Sequence, residues 1–137
     1  MPKLACVLET ALYVASLAPA RHFYEKVMQL PVLVADERLC ALDVGGRSVL
    51  LLFQEGTTSE TVHLPGGTIP PHEGAGRLHM AFAIASEELP AWERHLAQHS
   101  IAIEARTDWP RGGHSIYFRD PDAHLIELAT PGIWAIY

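Results

Sequence analysis

Glu127 is a carboxylate set within an apolar, strand-like run. Its neighbours are Ile126 and Leu128, and the alternation of a strand places the carboxylate on the face opposite to theirs. A buried charge without a partner is costly, so this carboxylate needs one. A divalent metal ion can supply it, because carboxylates and imidazoles both bind such ions. We therefore predict that Glu127 is a metal ligand.

Two more potential ligands, Glu9 and His79, occupy matching positions in two strand-like runs. Glu9 lies three residues before Leu12, and His79 lies three residues before Phe82. We predict that the ligand atoms of Glu9, His79 and Glu127 lie within about 3–4 Å of one another, since bonds of roughly 2.0–2.2 Å to one ion require it. One nitrogen and two carboxylates favour Mn(II) or Fe(II) and leave Zn(II) and Ni(II) open. The alternatives are a hydrogen-bonded core histidine at 79 and a surface glutamate at 9.

Four further side chains are candidates for catalysis or substrate binding. His72 follows two prolines that stiffen its backbone, so it is either a general base held over the pocket or an exposed loop histidine. Arg111 is either the partner of an anionic substrate group or a solvated charge. His114 follows two glycines, in a turn that could line the pocket mouth and bind substrate. Tyr117 is either a proton donor to bound substrate or a packed aromatic.

A separate pair, His95 and His99, lies four residues apart on a predicted helix. That spacing can bind a metal ion, but we interpret the pair as part of a solvated helix face.

The composition excludes several classes of partner. Apolar residues make up 49% of the 137 residues and charged residues 19%, a balance that supports a buried core. The net charge is −6, and no block of Lys or Arg is present, so we expect no nucleic-acid or membrane partner. Cys6 and Cys40 show no paired metal or redox spacing, which fits a reduced, cytoplasmic setting.

The strands and helices predicted to position these residues form two β-α-β-β-β units. This order predicts an α+β fold with eight strands and two main helices. In the first unit Pro19 begins a helix that Pro31 ends. In the second unit Ser86 begins a helix that reaches about His99. The predicted strands cover residues 4–14, 32–35, 39–44, 48–53, 78–85, 101–105, 115–118 and 124–129.

The two units align as an internal duplication. Glu9 and His79 are 70 positions apart on the first strands, and Leu51 and Glu127 are 76 apart on the last strands. Leu51 is therefore predicted to face the same cavity as Glu127 and to make one corner of that cavity, where substrate would bind, apolar. We predict one domain over residues 1–137, with module 1 at about 4–55, an irregular connector at 56–77 and module 2 at 78–137.

Three motifs in this chain resemble those of the vicinal oxygen chelate superfamily, which includes glyoxalase I, bleomycin-resistance proteins, fosfomycin-resistance enzymes and extradiol dioxygenases. They are Leu-Tyr-Val at 12–14 followed by Phe-Tyr at 23–24, Leu-His-Met-Ala-Phe at 78–82, and Tyr-Phe-Arg-Asp-Pro-Asp-Ala-His-Leu-Ile-Glu-Leu at 117–128. The resemblance implies paired modules whose U-shaped sheet surrounds a divalent metal, which binds adjacent substrate oxygens. The chain departs from the family pattern at Glu9, where His is usual, and at Ala123, where Gly is usual.

The resemblance implies a metal-dependent enzyme that acts on a small-molecule substrate, as a lyase or isomerase, a dioxygenase or a catalyst of ring-opening addition. The alternative is a non-catalytic drug-binding protein of the bleomycin-resistance type, with aromatic walls from Trp92, Trp109 and Trp134. Residues 130–137 include four large apolar side chains. We predict that this segment packs against a neighbouring module within a homodimer, because it would otherwise expose an apolar patch.

Overall fold

Each half of the chain folds into a β-α-β-β-β module, which confirms the predicted α+β fold. The computed structural model describes residues 1–137 and divides them into two units, Met1–Ala75 and Gly76–Tyr137. The first unit contains β1 (Glu9–Val14), α1 (Leu17–His22), a π-helical turn (Phe23–Val27), β2 (Val32–Ala35), β3 (Leu39–Val44), β4 (Ser48–Gln54), β5 (Val62–Leu64) and β6 (Gly67–Ile69). The second contains β7 (His79–Ala83), a 3₁₀ turn (Ser86–Glu88), α2 (Leu89–Gln98), β8 (Ala105–Asp108), β9 (His114–Arg119) and β10 (Leu125–Ala129).

The two main sheets have the same strand order and the same register. One sheet is ordered β1-β4-β3-β2 and the other β7-β10-β9-β8. In each, the first and last strands of the module run parallel, and the other neighbours are antiparallel. Leu51 lies opposite Ala11, and Glu127 lies opposite Ala81 in the matching place. The duplication predicted from the spacing of these residues is therefore present in the strand pairing.

Alternation along the last strand of each module separates the core from the opposite face of the sheet. Ile126 and Leu128 are fully buried, whereas Glu127 between them points to the other face. Leu50 and Leu52 flank Leu51 in the same way. The buried apolar face of the sheet is therefore the constraint that turns Glu127 and Leu51 away from the core.

Two predicted strands and the predicted connector differ from the structure, and the first helix begins at Leu17, two residues before the predicted Pro19. The first strand begins at Glu9, because only residues from Glu9 onward pair along β4. The strand predicted at 101–105 lies at Ala105–Asp108, where the chain pairs with β9. The connector predicted to be irregular at 56–77 contains a hairpin, β5–β6, in which Leu64 pairs with Gly67 across a two-residue turn. The Pro-Gly sequence of that turn suited a tight hairpin as well as a loop.

None of the helices combines the length and apolar character that crossing a membrane requires. Both cysteines are free thiols; Cys6 is exposed and Cys40 is buried.

The turn between β9 and β10 accommodates Ala123 with a left-handed backbone, at φ 63°. Asp120 holds this turn, because its Oδ1 accepts hydrogen bonds from the backbone N–H groups of Asp122 and His124, each at 2.9 Å. Its Oδ2 lies 2.7 Å from Nδ1 of the His124 ring, and both side chains are buried. The turn therefore keeps its form without the glycine that the family pattern has at this position.

Replacing Ala123 with Gly should stabilise the fold by about 0.5–1 kcal/mol, because an L-residue in the left-handed region carries a cost that Gly lacks. Urea unfolding of the variant should show a higher midpoint at an unchanged slope. The matched control is Ala97→Gly in the exposed part of α2, which should destabilise by about 1 kcal/mol. A lower midpoint for Ala123→Gly would contradict this account of the turn.

Candidate metal centre

His79 and Glu127 meet on neighbouring strands of the second unit. His79 is the first residue of β7, and Glu127 lies in β10, which runs parallel beside it. The His79 Nε2 atom is 3.2 Å from the Glu127 Oε1 atom. The His79 side chain is half exposed, whereas the Glu127 side chain is 9% exposed. The pair therefore joins a buried carboxylate to an imidazole that solvent and ligands can reach.

The other polar atom of each side chain is already engaged. His79 Nδ1 lies 2.9 Å from the carbonyl oxygen of Leu125, which can only accept, so Nδ1 carries the proton. In the neutral ring Nε2 then presents a lone pair. The Ser115 hydroxyl donates to Glu127 Oε2 at 2.5 Å. Two lone-pair-bearing atoms, Nε2 and Oε1, therefore face each other, an arrangement that a proton or a cation between them must stabilise.

The separation of these two atoms fits a shared divalent ion. Two ligand atoms bound at roughly 2.0–2.2 Å, at angles between octahedral and tetrahedral, lie about 2.8–3.6 Å apart. The distance from His79 Nε2 to Glu127 Oε1, 3.2 Å, falls within that range. Metal-ligating histidines commonly donate their other N–H to a carbonyl oxygen, as His79 does. The chemistry and spacing of the two residues therefore suit a metal.

Glu9, the predicted third ligand, lies in the first unit. It lines a cavity of about 440 Å³ together with Arg38, Leu51, Phe53 and His72, among others. Within neither unit do three or more His, Cys, Asp or Glu side chains gather at distances suited to a metal. The structure thus brings His79 and Glu127 together, and Glu9 stays a prediction. Leu51 lies on the Glu9 cavity, at the strand position equivalent to Glu127.

His72, the predicted general base, is held in place rather than free in a loop. Its backbone N–H donates to the Thr58 carbonyl at 2.9 Å, and the Thr58 hydroxyl donates to the His72 carbonyl. Its Nδ1 atom is 2.6 Å from the Tyr13 hydroxyl, and its ring packs edge-on against Phe53. Tyr13 was missed at the sequence level, although it follows Glu9 at even spacing on one face of β1.

A second cavity, of about 400 Å³, surrounds the His79–Glu127 pair. Tyr117 lines it and lies opposite Glu127 in the strand pairing, and its role as a proton donor stays a prediction. Arg111 and His114 are not among its lining residues; the His114 ring instead lies 2.7 Å from an Asp108 carboxylate oxygen. The lining residues are His79, Ala81, Trp109, Tyr117, Glu127, Ala129, Ile133, Trp134 and Tyr137.

The segment 130–137 forms part of this cavity, which the sequence did not predict. Burial raises the pKa of the Tyr137 hydroxyl above its ordinary value. That hydroxyl donates to the Ile84 carbonyl at 2.9 Å. Gly113 and Gly132 pack backbone to backbone, and a Cβ on either would overlap the other. The second of the two glycines after Arg111, Gly113, therefore allows this segment to pack closely against the turn.

Comparison with known proteins identifies the family. A protein-family model described as the Glyoxalase/Bleomycin resistance protein/Dioxygenase superfamily matches residues 7–128. The chain belongs to this superfamily. The match covers β1 to β10 almost completely and confirms the resemblance carried by the three sequence motifs.

Individual members of the Glyoxalase/Bleomycin resistance protein/Dioxygenase superfamily are similar to the chain at different levels. This chain is 31% identical over 122 residues to the metallothiol transferase FosB of Bacillus licheniformis, and the match covers 88% of this chain and 72% of that protein. The crystal structure of lactoylglutathione lyase from Agrobacterium tumefaciens has a TM-score of 0.88 at 29% identity, covering 98% of this chain and 99% of that one. The fosfomycin resistance protein FosX of Listeria monocytogenes shares the fold, with a TM-score of 0.66 at 20% identity over 95% and 94% of the two chains.

Replacing Gly74 with Ala should destabilise the first unit by about 1–3 kcal/mol, because the new Cβ would overlap ring carbons of Tyr13. The displaced ring would also lose its hydrogen bond to His72. Thermal and urea unfolding would measure the loss. The matched control is Gly66→Ala, whose Cβ meets open space and should leave the midpoint nearly unchanged. Equal stability of the two variants would contradict the packing of Tyr13 described above.

Proposed function

We propose that this chain is a divalent-metal-dependent enzyme that acts on a small oxygenated substrate. The observation that carries the proposal is the His79–Glu127 pair, whose facing atoms are 3.2 Å apart and whose other polar atoms are already hydrogen-bonded. His79 and Glu127 would hold the metal, and Glu9 would be the third ligand. The bound ion would supply Lewis acidity at the substrate oxygens.

The class of reaction that we propose is the making or breaking of a bond between the substrate and a thiol sulfur. Two similar proteins are named metallothiol transferase and lactoylglutathione lyase, and each name refers to a thiol or to a compound made from one. The curated relatives are named as transferases, whereas the sequence resemblance left open a lyase or isomerase, a dioxygenase and a catalyst of ring-opening addition. Group transfer to or from a thiol covers both names, and neither name supports a dioxygenase.

Side chains beside the proposed metal would orient the substrate and transfer protons. Tyr117 lies beside the His79 ring, with centroids 6.4 Å apart, where it would orient the substrate and hold a proton at its hydroxyl. His72 would move a proton at its Nε2 atom, because Tyr13 engages its Nδ1 atom. The aromatic side chains that line the His79 cavity, Trp109, Trp134 and Tyr137, would form an apolar wall beside the reacting centre.

Metal binding is the first test of this proposal. Protein purified without added metal and titrated with Mn(II) or Zn(II) should bind about one ion per chain, measured by calorimetry and elemental analysis. His79→Ala should abolish binding, because it removes the only nitrogen ligand of the proposed set. Glu9→Ala should weaken it, and Glu9→His should retain metal and shift the preference toward Zn(II).

The matched control is the double variant His95→Ala, His99→Ala on α2. These rings lie 4.6 Å apart and could bind metal adventitiously, so the double variant should leave the high-affinity site unchanged. Protein that stays metal-free in Mn, Fe, Ni and Zn would contradict the enzyme proposal and favour a metal-independent binder. Unchanged binding by Glu9→Ala would remove Glu9 from the ligand set. Thiol consumption in the presence of fosfomycin, or cleavage of lactoylglutathione, would then test the reaction class.

We also propose a homodimer. Trp134 is 70% exposed and Ile136 is 95% exposed, although Tyr137 packs within its own unit. Large apolar side chains exposed together commonly mark an interface. Light scattering at micromolar concentration should show a dimer, and Trp134→Ser with Ile136→Ser should shift it toward monomer. A strict monomer for the unaltered chain would contradict the proposal.

A further inference from the structure

We propose that Ser115 and Trp109 are positioning residues that fix Glu127 as a one-oxygen metal ligand. This inference rests on the proposed function, since it concerns how the same site holds its metal. Neither residue belongs to the predicted ligand set. They are connected to the carboxylate oxygen of Glu127 that does not face His79, by hydrogen bonds from Trp109 to Ser115 and from Ser115 to Glu127.

The donor and acceptor roles in this series of hydrogen bonds follow from the chemistry of the Trp109 indole. An indole N–H can only donate, so the Trp109 Nε1 atom, 2.9 Å from the Ser115 oxygen, makes that oxygen an acceptor. The single hydroxyl proton of Ser115 is then directed to Glu127 Oε2, at 2.5 Å. A carboxylate oxygen accepts this bond, which leaves Oε1 as the oxygen that faces His79. We call this series, from Trp109 through Ser115 to Glu127, the relay. It engages one oxygen of Glu127 and leaves the other directed toward His79 and a metal.

Burial makes the relay a strong constraint on the Glu127 side chain. Ser115 is 1% exposed and Glu127 is 7% exposed, so bulk water does not compete for the bond between them. Hydrogen bonds to an ionised group in such surroundings are stronger than those between neutral groups. Any rotation of the Glu127 carboxylate other than a half-turn, which exchanges two equivalent oxygens, would therefore leave the Ser115 hydroxyl unpaired.

The first module provides an internal comparison. Ser115 pairs with Ala129 in the second sheet, and Leu39 pairs with Phe53 at the equivalent place in the first. Leu51 likewise occupies the position in the first sheet that is equivalent to Glu127 in the second. The buried hydroxyl thus occurs in the module that has the carboxylate, and both positions are leucine in the other module. This correspondence is expected if the serine serves the carboxylate and has no general role in the fold.

The two ligands are fixed by different kinds of partner. His79 is oriented by the backbone carbonyl of Leu125, which no substitution removes. Glu127 is oriented by a side chain, so its geometry can be altered by mutation. Outer hydrogen-bond partners of metal ligands typically change metal affinity by about 10–100-fold when they are lost. Ser115 is therefore the position at which the proposed site can be weakened without touching a ligand.

The test measures the affinity of Mn(II) alone, by calorimetry and by the electron paramagnetic resonance signal of free Mn(II). Ser115→Ala should weaken binding by about 10–100-fold. Ser115→Thr, which keeps the hydroxyl and suits a strand, should recover most of the affinity. Trp109→Phe, which removes the indole N–H and leaves a smaller aromatic ring, should weaken binding less than Ser115→Ala. Ser48→Ala, the same change in the other sheet, should have no effect.

A spectroscopic measurement separates positioning from a general structural role. The fluorescence of Trp109, taken as the difference between the unaltered chain and Trp109→Phe, should shift when Mn(II) or Zn(II) is added. That shift should be lost in Ser115→Ala, because the hydroxyl that links the indole to Glu127 is gone. Far-UV circular dichroism and thermal unfolding would establish that each variant is folded.

The outcomes distinguish this inference from the proposed function. Wild-type affinity in Ser115→Ala, together with loss of binding in His79→Ala, would overturn the relay and leave the metal proposal standing. No binding by the unaltered chain, or equal binding by His79→Ala, would overturn both. If Ser115→Ala does not fold, Trp109→Phe decides: unchanged Mn(II) affinity with no metal-dependent change in Trp109 fluorescence would overturn the relay.

Discussion

The approach of His79 Nε2 to Glu127 Oε1 at 3.2 Å is the contact on which the functional account depends. It requires β7 and β10 to run parallel as neighbours, in a register that places Leu125 beside His79. The buried apolar face of β10 then turns Glu127 to the same side of the sheet as the imidazole. A slip of one residue would bury the carboxylate in the core, so the chemistry is tied to the register of the sheet.

Duplication of the module explains both the symmetry and the asymmetry of the chain. The two sheets share their order and register, yet the first has leucine at the places of Glu127 and Ser115. Its equivalent of His79 is Glu9, beside a histidine fixed by Tyr13. One module contains the carboxylate–imidazole pair, and the other contains a cavity lined by Glu9 and by His72, whose ring is hydrogen-bonded to Tyr13.

The sequence predicted the parts of this structure that depend on periodicity and spacing. The repeated strand and helix patterns predicted the modules. The alternation around Glu127 and the matched positions of Glu9 and His79 predicted a set of three ligands, of which the structure brings His79 and Glu127 together. The sequence did not predict Tyr13, whose role depends on the path of a loop that returns His72 to β1. Nor did it predict Ser115, since a small polar residue in a strand has no periodic signal. The hairpin β5–β6 was missed because Pro and Gly mark tight turns and loops alike.

The most direct test of the central claim is the anomalous scattering of crystals soaked in Mn(II). The account predicts a peak about 2.0–2.2 Å from both His79 Nε2 and Glu127 Oε1, with Glu127 Oε2 still bonded to Ser115. Coordination by Glu9 would appear as a third bond to the same peak. A peak only at His95 and His99 on α2, with none between His79 and Glu127, would contradict the account.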